Sequence, residues 1–324
     1  MAELLVLGRT DIEHVLSMEG CIAAMTDALS ALAREQVHQP LRSIVRAPGA
    51  PGFLGLMPAW RNAFGLKAIC VFPGNPARGL DAHQGVVLVS NGETGEPVAV
   101  LDASSITEVR TAAVSAVATR LLARPEAGDL AIVGAGVQAR AHLTAMAAAR
   151  KLRRVRLVSR SLESARRLAA RANATVPIEV VQSVEEAVRG ADLIVTATSA
   201  PEPVVRREWI AKGAHINAVG ACVPRARELD TLTVAAGALF VDRRESAQSE
   251  AGDYLIPLRE GAIGPDHIRG EIGEVLVGTR PGRTSPDEIT IFKSLGLAIE
   301  DLAAAELCIR TARERGVGTR VTFS

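Results

Sequence analysis

Asp129-Leu-Ala-Ile-Val-Gly-Ala-Gly-Val-Gln-Ala139 runs from a short apolar stretch, residues 130–133, straight into GAGVQA, and an Ala-rich amphipathic segment follows. Strand, glycine turn and helix in that order form the setting that a dinucleotide-binding fingerprint requires. Gly134 permits the tight turn, Gly136 lets the backbone approach a pyrophosphate, and Ala139 keeps the helix close to the strand. Val137 and Gln138 open the helix, whose N-terminus offers N–H groups and partial positive charge to an anion. The same residues would also suit an ordinary strand-to-helix turn, so the flanks decide.

Six further runs rich in β-branched and aliphatic residues follow: 155–159, 178–181, 192–198, 215–219, 238–242 and 289–292. Amphipathic stretches such as 162–173 and 184–189 separate the early ones. Continuous apolar strands alternating with helices predict a parallel sheet covered on both faces. Residues 119–301 are long enough for such a domain, and the expected class is α/β, a Rossmann doubly wound parallel sheet.

The chain has 324 residues, 48% hydrophobic and only 3% aromatic, which suits a globular protein with a sizeable core in two domains. A net charge of +1 and the lack of a long Lys/Arg run argue against nucleic-acid binding. Arg150, Lys151, Arg153, Arg154 and Arg156 form the densest basic cluster, expected as a solvated face near a helix end. No apolar run approaches ~20 residues, so no membrane span is expected. The N-terminus lacks the basic and apolar regions of a secretory signal. Cys21, Cys70, Cys222 and Cys308 are scattered and read as reduced thiols in a cytoplasmic protein. The six histidines show no metal-ligand spacing, so no metal is expected.

Residues 1–118 are patterned differently. A helix is expected over 18–35, with Ser17 as its N-cap. Strands are expected at 41–46, 53–59, 66–72, 85–90 and 97–101, the last two joined as a hairpin through Asn91-Gly-Glu-Thr-Gly-Glu96. Strands in succession predict an α+β domain with an antiparallel sheet. Ser105, followed by Glu108, reads as the capping box of a helix that continues to about Leu122 and crosses between the domains. A last helix is expected over 295–315, capped by Ser294 and ended by Gly316, and its residues from about 302 to 324 join the first domain.

The end of the second parallel strand bears on the cofactor. An NAD-preferring site usually places Asp or Glu there for the ribose 2′-hydroxyl. Here the stretch is Val158-Ser159-Arg160-Ser161, with no carboxylate before Glu163. Arg160 can pair with a 2′-phosphate, and Ser159 or Ser161 can donate hydrogen bonds to it, so NADP(H) is favoured, with NAD(H) possible. Arg160 also suits a plain surface arginine.

Several motifs together resemble the ornithine cyclodeaminase/μ-crystallin family. They are Gly65-Leu-Lys67, the helix ITEVRTAAVSAVATRLL from Ile106, the GAGVQA loop, Ile216-Asn-Ala-Val-Gly-Ala221, and Phe292-Lys-Ser-Leu-Gly296 followed by Glu300-Asp301. The similarity spans nearly the whole chain in the right order. It implies a homodimer with a Rossmann domain and a substrate-binding domain that also forms the dimer interface. It also implies hydride chemistry on an amino-acid carbon that passes between amine and imine.

Carried onto this chain, the resemblance makes Arg42 the arginine that grips the substrate carboxylate and Lys67 the active-site lysine. Arginine suits the first task through its two-pronged fork. Lys67 lies in an apolar strand, where an unpartnered ammonium is costly to bury. An edge-strand lysine facing water is the plainer alternative. Arg110, in a small and apolar helix, is expected to contact a phosphate or carboxylate of cofactor or substrate, and Thr111 to add a hydroxyl to a cofactor phosphate. The resemblance also places Thr198 and Val219 along the nucleotide and Ser294 and Leu295 near the nicotinamide. His83 and Gln84 suit either the substrate pocket or a structural role.

One departure discriminates within the family. True ornithine cyclodeaminases carry an aspartate after the Val-Gly pair, whereas this chain has Val219-Gly-Ala-Cys222-Val-Pro224. A thiol in apolar surroundings is a poor substitute for a carboxylate that must steer and exchange protons. Glu228 and Asp230, a little further on, are expected to cap and orient the next helix. The leading expectation is an NAD(P)H-dependent reductase of small cyclic 2-carboxylated ketimines, forming proline or pipecolate, with Lys67 or an ordered water as proton relay. An ornithine cyclodeaminase, an alanine-dehydrogenase-like oxidoreductase and a non-catalytic ligand-binding protein stay open.

Overall fold

The computed structural model describes residues 3–172, 174 and 176–322. The chain divides into two compact units, one running up to Arg110 and resuming at Gly296, the other Thr111–Leu295. The first passage falls within the helix Ala103–Leu122, and the second just before the helix Ala298–Arg315.

In the second unit, eight strands lie in the order Ile268–Glu271, Ala238–Val241, Thr290–Lys293, His215–Ala218, Leu193–Thr196, Asp129–Val133, Arg154–Val158 and Ile178–Val180. All of these pairings are parallel. The winding reverses between Asp129–Val133 and Leu193–Thr196, the switch point where open α/β sheets bind ligands beyond the carboxyl ends of their strands. The opening strand and the six apolar runs read from the sequence are all strands, with ends shifted by one or two residues. The strands Leu193–Thr196, His215–Ala218, Ala238–Val241 and Thr290–Lys293 are buried at every residue, so both of their faces are covered, and Ile194, Ile216, Leu239 and Ile291 share one core with Val234 and Tyr254. Ile268–Glu271 is an additional edge strand, too short and too charged for hydropathy to mark.

The helix expected over 162–173 spans Leu162–Arg171, and Asn173 lies outside the described residues. The basic cluster is only partly a solvated face. Arg150 donates to the carbonyls of Thr119, Arg120, Ala123 and Arg124, closing the C-terminal end of the helix Ala103–Leu122. Arg156 is buried and donates to the carbonyls of Glu186 and Arg189, at the end of the helix Val184–Val188. Orphan helix-end carbonyls therefore claim two of the five cations.

The first unit holds a seven-stranded sheet in the order Thr319–Thr322, Glu3–Leu7, Pro97–Asp102, His83–Asn91, Ala63–Val71, Phe53–Trp60, Ser43–Val45. Pairing is antiparallel except between Glu3–Leu7 and Pro97–Asp102, so the sheet is mixed. The expected hairpin is present, and the Asn91 side chain closes it by accepting from the N–H groups of Glu93 and Thr94. Ser17 caps the helix Met18–Ala33 by accepting from Gly20 N.

Three local expectations are corrected. Arg42 precedes the short strand Ser43–Val45 and does not lie on it; with all three strand residues exposed, only the pairing with Leu54, Gly55 and Leu56 defines that strand. The helix Ala103–Leu122 begins two residues before Ser105, and Asp102 accepts the Ser105 N–H at 2.8 Å, so Asp102 acts as the cap. The last helix starts at Ala298, with Leu297 as N-cap and Glu300 accepting the Leu297 N–H; Ser294 lies outside it. Gly316 ends that helix in the left-handed region, at φ 67°.

Candidate active site

The strand Ala63–Val71 turns Gly65, Lys67 and Ile69 to its buried face, because alternate residues share a side. The helix Ala298–Arg315 covers that face closely. A Cβ on Gly65 would come within 2.9 Å of the Leu302 side chain, so glycine is what admits the helix there. This approach brings the first helical turn, with Glu300 and Asp301, over Lys67.

Four charged side chains meet there. Lys67 Nζ lies 2.7 Å from Asp301 Oδ2, and Lys67 as a whole is only 4% exposed. Arg110 donates from Nε to Asp301 Oδ1 and from Nη1 to Glu300 Oε2, each at 2.9 Å. Thr107 Oγ1 is 3.5 Å from Lys67 Nζ, one helical turn before Arg110. Both acids sit in the first turn of their helix, where the dipole favours negative charge. Arg42, half-buried, donates from Nη2 to the carbonyl of Gly296 at 2.8 Å, and its charge is felt at Lys67. His83, at the exposed start of its strand, is within reach of the charges of Lys67, Asp81 and Arg110. Gln84 is exposed and donates to the Asp81 carbonyl.

The electrostatics follow from that arrangement. Burial lowers the pKa of Lys67 to about 8; Asp301 opposes this, while Arg110 and Arg42 add to it. Burial alone would raise Asp301, but Arg110 and Lys67 overcome it and hold the carboxylate below its ordinary value. Arg110 meets two carboxylates, and both belong to this chain, not to a cofactor or substrate. The partners Glu300 and Asp301 are the residues whose role the sequence reading missed. Two cations in apolar segments call for two acids, and the pair within the Ala-rich run LGLAIEDLAAAEL was the available signal.

In the second unit, Gly134 has φ 125°, and its N–H donates to the Val158 carbonyl at 2.8 Å. A Cβ there would lie 2.4 Å from the Ala197 oxygen, so both the turn and the close approach need glycine. The helix Val137–Ala149 follows with Gly136 as N-cap and no side-chain cap; Val137 is exposed, Gln138 half-buried and Ala139 fully buried. A Cβ on Gly136 would meet nothing within 4 Å, which leaves the first-turn backbone open on that side. Such a turn fits a dinucleotide pyrophosphate.

At the end of the next strand Ser159 is half-buried and Arg160 exposed, while Ser161 caps the helix Leu162–Arg171 by accepting from Ser164 N. Thr111, Val219, Ser294 and Leu295 are buried, and Thr198 is half-buried. The Leu295 N–H donates to Asp242 Oδ2 at 2.6 Å. Cys222 Sγ lies 3.5 Å from the Val219 carbonyl and 3.8 Å from that of Ser294. Asp230 caps the helix Thr231–Ala236 as expected. Glu228 does not: it is fully buried and binds the loops that follow two parallel strands.

Known proteins resemble the whole chain. A mouse ketimine reductase mu-crystallin is 40% identical over 301 residues, 91% of this chain and 93% of its own length. The structure of Thermococcus litoralis Δ1-pyrroline-2-carboxylate reductase in complex with NADH and L-proline is similar with a TM-score of 0.96 and 38% identity, covering 98% of this chain and 100% of that one. An archaeal alanine dehydrogenase dimer with bound NAD is similar at a TM-score of 0.95 and 33% identity, covering both chains in full. The description of the ornithine cyclodeaminase/mu-crystallin family matches residues 2–316, and this chain belongs to that family.

Proposed function

We propose that the chain is an NAD(P)H-dependent reductase of small cyclic 2-carboxylated ketimines, with Δ1-pyrroline-2-carboxylate and Δ1-piperideine-2-carboxylate as representative substrates and proline and pipecolate as products. The observation that carries the reading is Lys67: a buried ammonium whose pKa is about 8, clamped by Asp301 and flanked by Arg110 and Arg42. The similarity to the Thermococcus litoralis reductase and to the mouse ketimine reductase supports it.

A reduced nicotinamide, when bound, supplies the hydride. The chain's residues do the rest. Arg42 pairs with the substrate carboxylate beside the C=N carbon, and its bond to the Gly296 carbonyl fixes where the guanidinium stands. Lys67 holds its proton at pH 7 yet releases it more readily than a solvated lysine, so it protonates the imine nitrogen as the carbon accepts hydride. Asp301 aims Nζ, while Arg110 holds Asp301 and keeps the surrounding potential positive for an anionic substrate. The turn at Gly134, Gly136, Val137 and Gln138 would hold the cofactor phosphates. Thr111, Thr198, Val219, Ser294 and Leu295 would line the rest of the cofactor.

NADP(H) is the preferred form in this reading, because Arg160 stands exposed at the strand end with no carboxylate before Glu163. Cys222, where a cyclodeaminase has its aspartate, favours reduction of a ready-made imine over deamination of ornithine. The test is a panel of five- and six-membered cyclic ketimines with NADPH and with NADH, alongside ornithine without added reductant. Ketimine-dependent oxidation of NADPH, with a Michaelis constant about tenfold or more below that for NADH, is expected. Ammonia and proline from ornithine alone would overturn the reductase reading, and a clear NADH preference would overturn the role of Arg160.

The reading includes a homodimer. One face of the first unit's sheet exposes Val45, Trp60, Phe64 and Val86, apolar side chains of the kind that associate. A solution mass near twice 34.0 kDa is expected. The four free cysteines suit the reducing cytoplasm. Among the described residues no single helix is long and apolar enough to cross a membrane.

A further inference from the structure

Glu228 is the most completely enclosed carboxylate outside the Lys67 cluster, and neither the family motif reading nor the proposed chemistry uses it. It is 0% exposed. Oε1 accepts from both the N–H and the hydroxyl of Thr198, at 2.7 and 2.8 Å. Oε2 accepts from the Thr196 hydroxyl at 2.8 Å and from Gly220 N at 2.6 Å. These donors come from the ends of two adjacent parallel strands, Leu193–Thr196 and His215–Ala218, and from the loops that leave them.

The backbone at Glu228 is itself held from behind. Asp253 Oδ1 accepts the N–H groups of Glu228 and Leu229, and Asp253 Oδ2 lies 3.2 Å from Lys293 Nζ. Lys293 Nζ also donates to the Ala218 carbonyl at 3.2 Å, at the end of the second strand. Thr198 follows Ala197, whose carbonyl is the group packed against Gly134. One buried network therefore reaches the glycine turn, the Thr198 loop and the Val219–Gly220 loop. These three segments lie at the carboxyl ends of the two strands flanking the switch point and of the strand beside them, where such sheets bind dinucleotides.

We propose that Glu228, braced by Asp253 and Lys293, is a positioning residue for the dinucleotide: it fixes the two strand-end loops in the conformation the cofactor binds. The residue touches neither cofactor nor substrate. All four of its bonds are to loop and strand-end donors, so a neutral amide in its place must turn an N–H₂ group toward donors that need an acceptor. The loops then lose their shared anchor, and the cofactor must order them as it binds. This inference rests on the reading of the chain as a nicotinamide enzyme.

The test is direct titration of the purified chain with NADPH and NADH, followed by cofactor fluorescence without any ketimine. Glu228→Gln is expected to weaken binding of both forms by about tenfold or more, since several buried acceptor bonds are disturbed at once. The Michaelis constant for the ketimine at saturating cofactor should stay within about twofold of the parent, because the loss is confined to cofactor binding. A second variant, Thr196→Val, removes one donor from a fully buried side chain that no ligand can reach. It should weaken NADPH binding by about two- to fivefold. If Glu228→Gln fails to fold, the Thr196→Val titration decides the matter alone. Unchanged cofactor binding in a folded Glu228→Gln or in Thr196→Val, or a ketimine constant that rises as much as the cofactor constant, overturns the positioning role. Failure of the parent chain to bind either dinucleotide would instead overturn the proposed function.

Discussion

Lys67 in the first unit and Lys293 in the second are both buried, and each is ion-paired to an aspartate, at 2.7 and 3.2 Å. Burial pushes both pKa values down, yet the outcomes are opposite. Lys67 settles at about 8 because Arg110 and Arg42 add positive charge that Asp301 does not cancel. Lys293 is raised above its ordinary value, because the groups facing it after burial are Asp253, Cys222 and Glu228. Desolvation is thus common to the two sites, and the sign of the neighbours decides which lysine can exchange a proton near neutrality. A crowd of cations around a lysine marks chemistry; a crowd of acids marks an anchor.

Replacing each lysine by methionine is the strongest way to break that contrast. Lys67→Met is expected to lower turnover by about 10²- to 10⁴-fold, the usual contribution of a general acid, while cofactor binding persists. Steady-state rates with a cyclic ketimine check it, and an unchanged rate would remove Lys67 from the mechanism. Lys293→Met should act on stability and, through Glu228, on cofactor binding, and not on proton transfer. It leaves Asp253 and Glu228 buried with no cation, a loss of about 3–5 kcal/mol. Urea denaturation would show this as a lower midpoint at constant slope. A Lys293→Met protein as stable as its parent would mean that the second network is not held by charge.

The contrast also explains what could be read in advance. The parallel sheet was legible because its central strands are buried and carry continuous apolar stretches, as in 130–133 and 238–241. The strands that escaped, Glu3–Leu7, Thr319–Thr322 and Ile268–Glu271, are short edge or near-edge elements. Thr319–Thr322 is exposed along its length and is defined only by pairing with a segment at the other end of the chain. Cations in apolar settings stood out, which is why Lys67 and Arg110 could be singled out. Their acids did not: Glu300 and Asp301 open a helix, where carboxylates are ordinary, and their burial comes with the packing of that helix on the sheet, where Leu302 meets Gly65. Glu228 was misread for the same reason. It stands three residues before a helix, and nothing local says that its side chain turns toward Thr196, Thr198 and Gly220.

A finer test separates the charge of Lys67 from its position. The acting form is the protonated ammonium, so turnover should be level well below pH 8 and fall as pH rises through about 8. Asp301 raises the lysine pKa, through its charge and through its hydrogen bond. Asp301→Asn removes the charge and keeps the shape, so Lys67 should lose its proton more readily. The alkaline limb of the pH–rate profile should then move to lower pH by about 1–3 units, the usual effect of one nearby opposite charge. A ketimine also titrates, but a limb that belonged to the free substrate would sit at the same pH for both proteins. Displacement of the limb toward acid therefore assigns it to the enzyme, and to a group that Asp301 stabilises in its charged form. A limb that stayed in place, or moved toward alkali, would show that Lys67 is not the group that titrates.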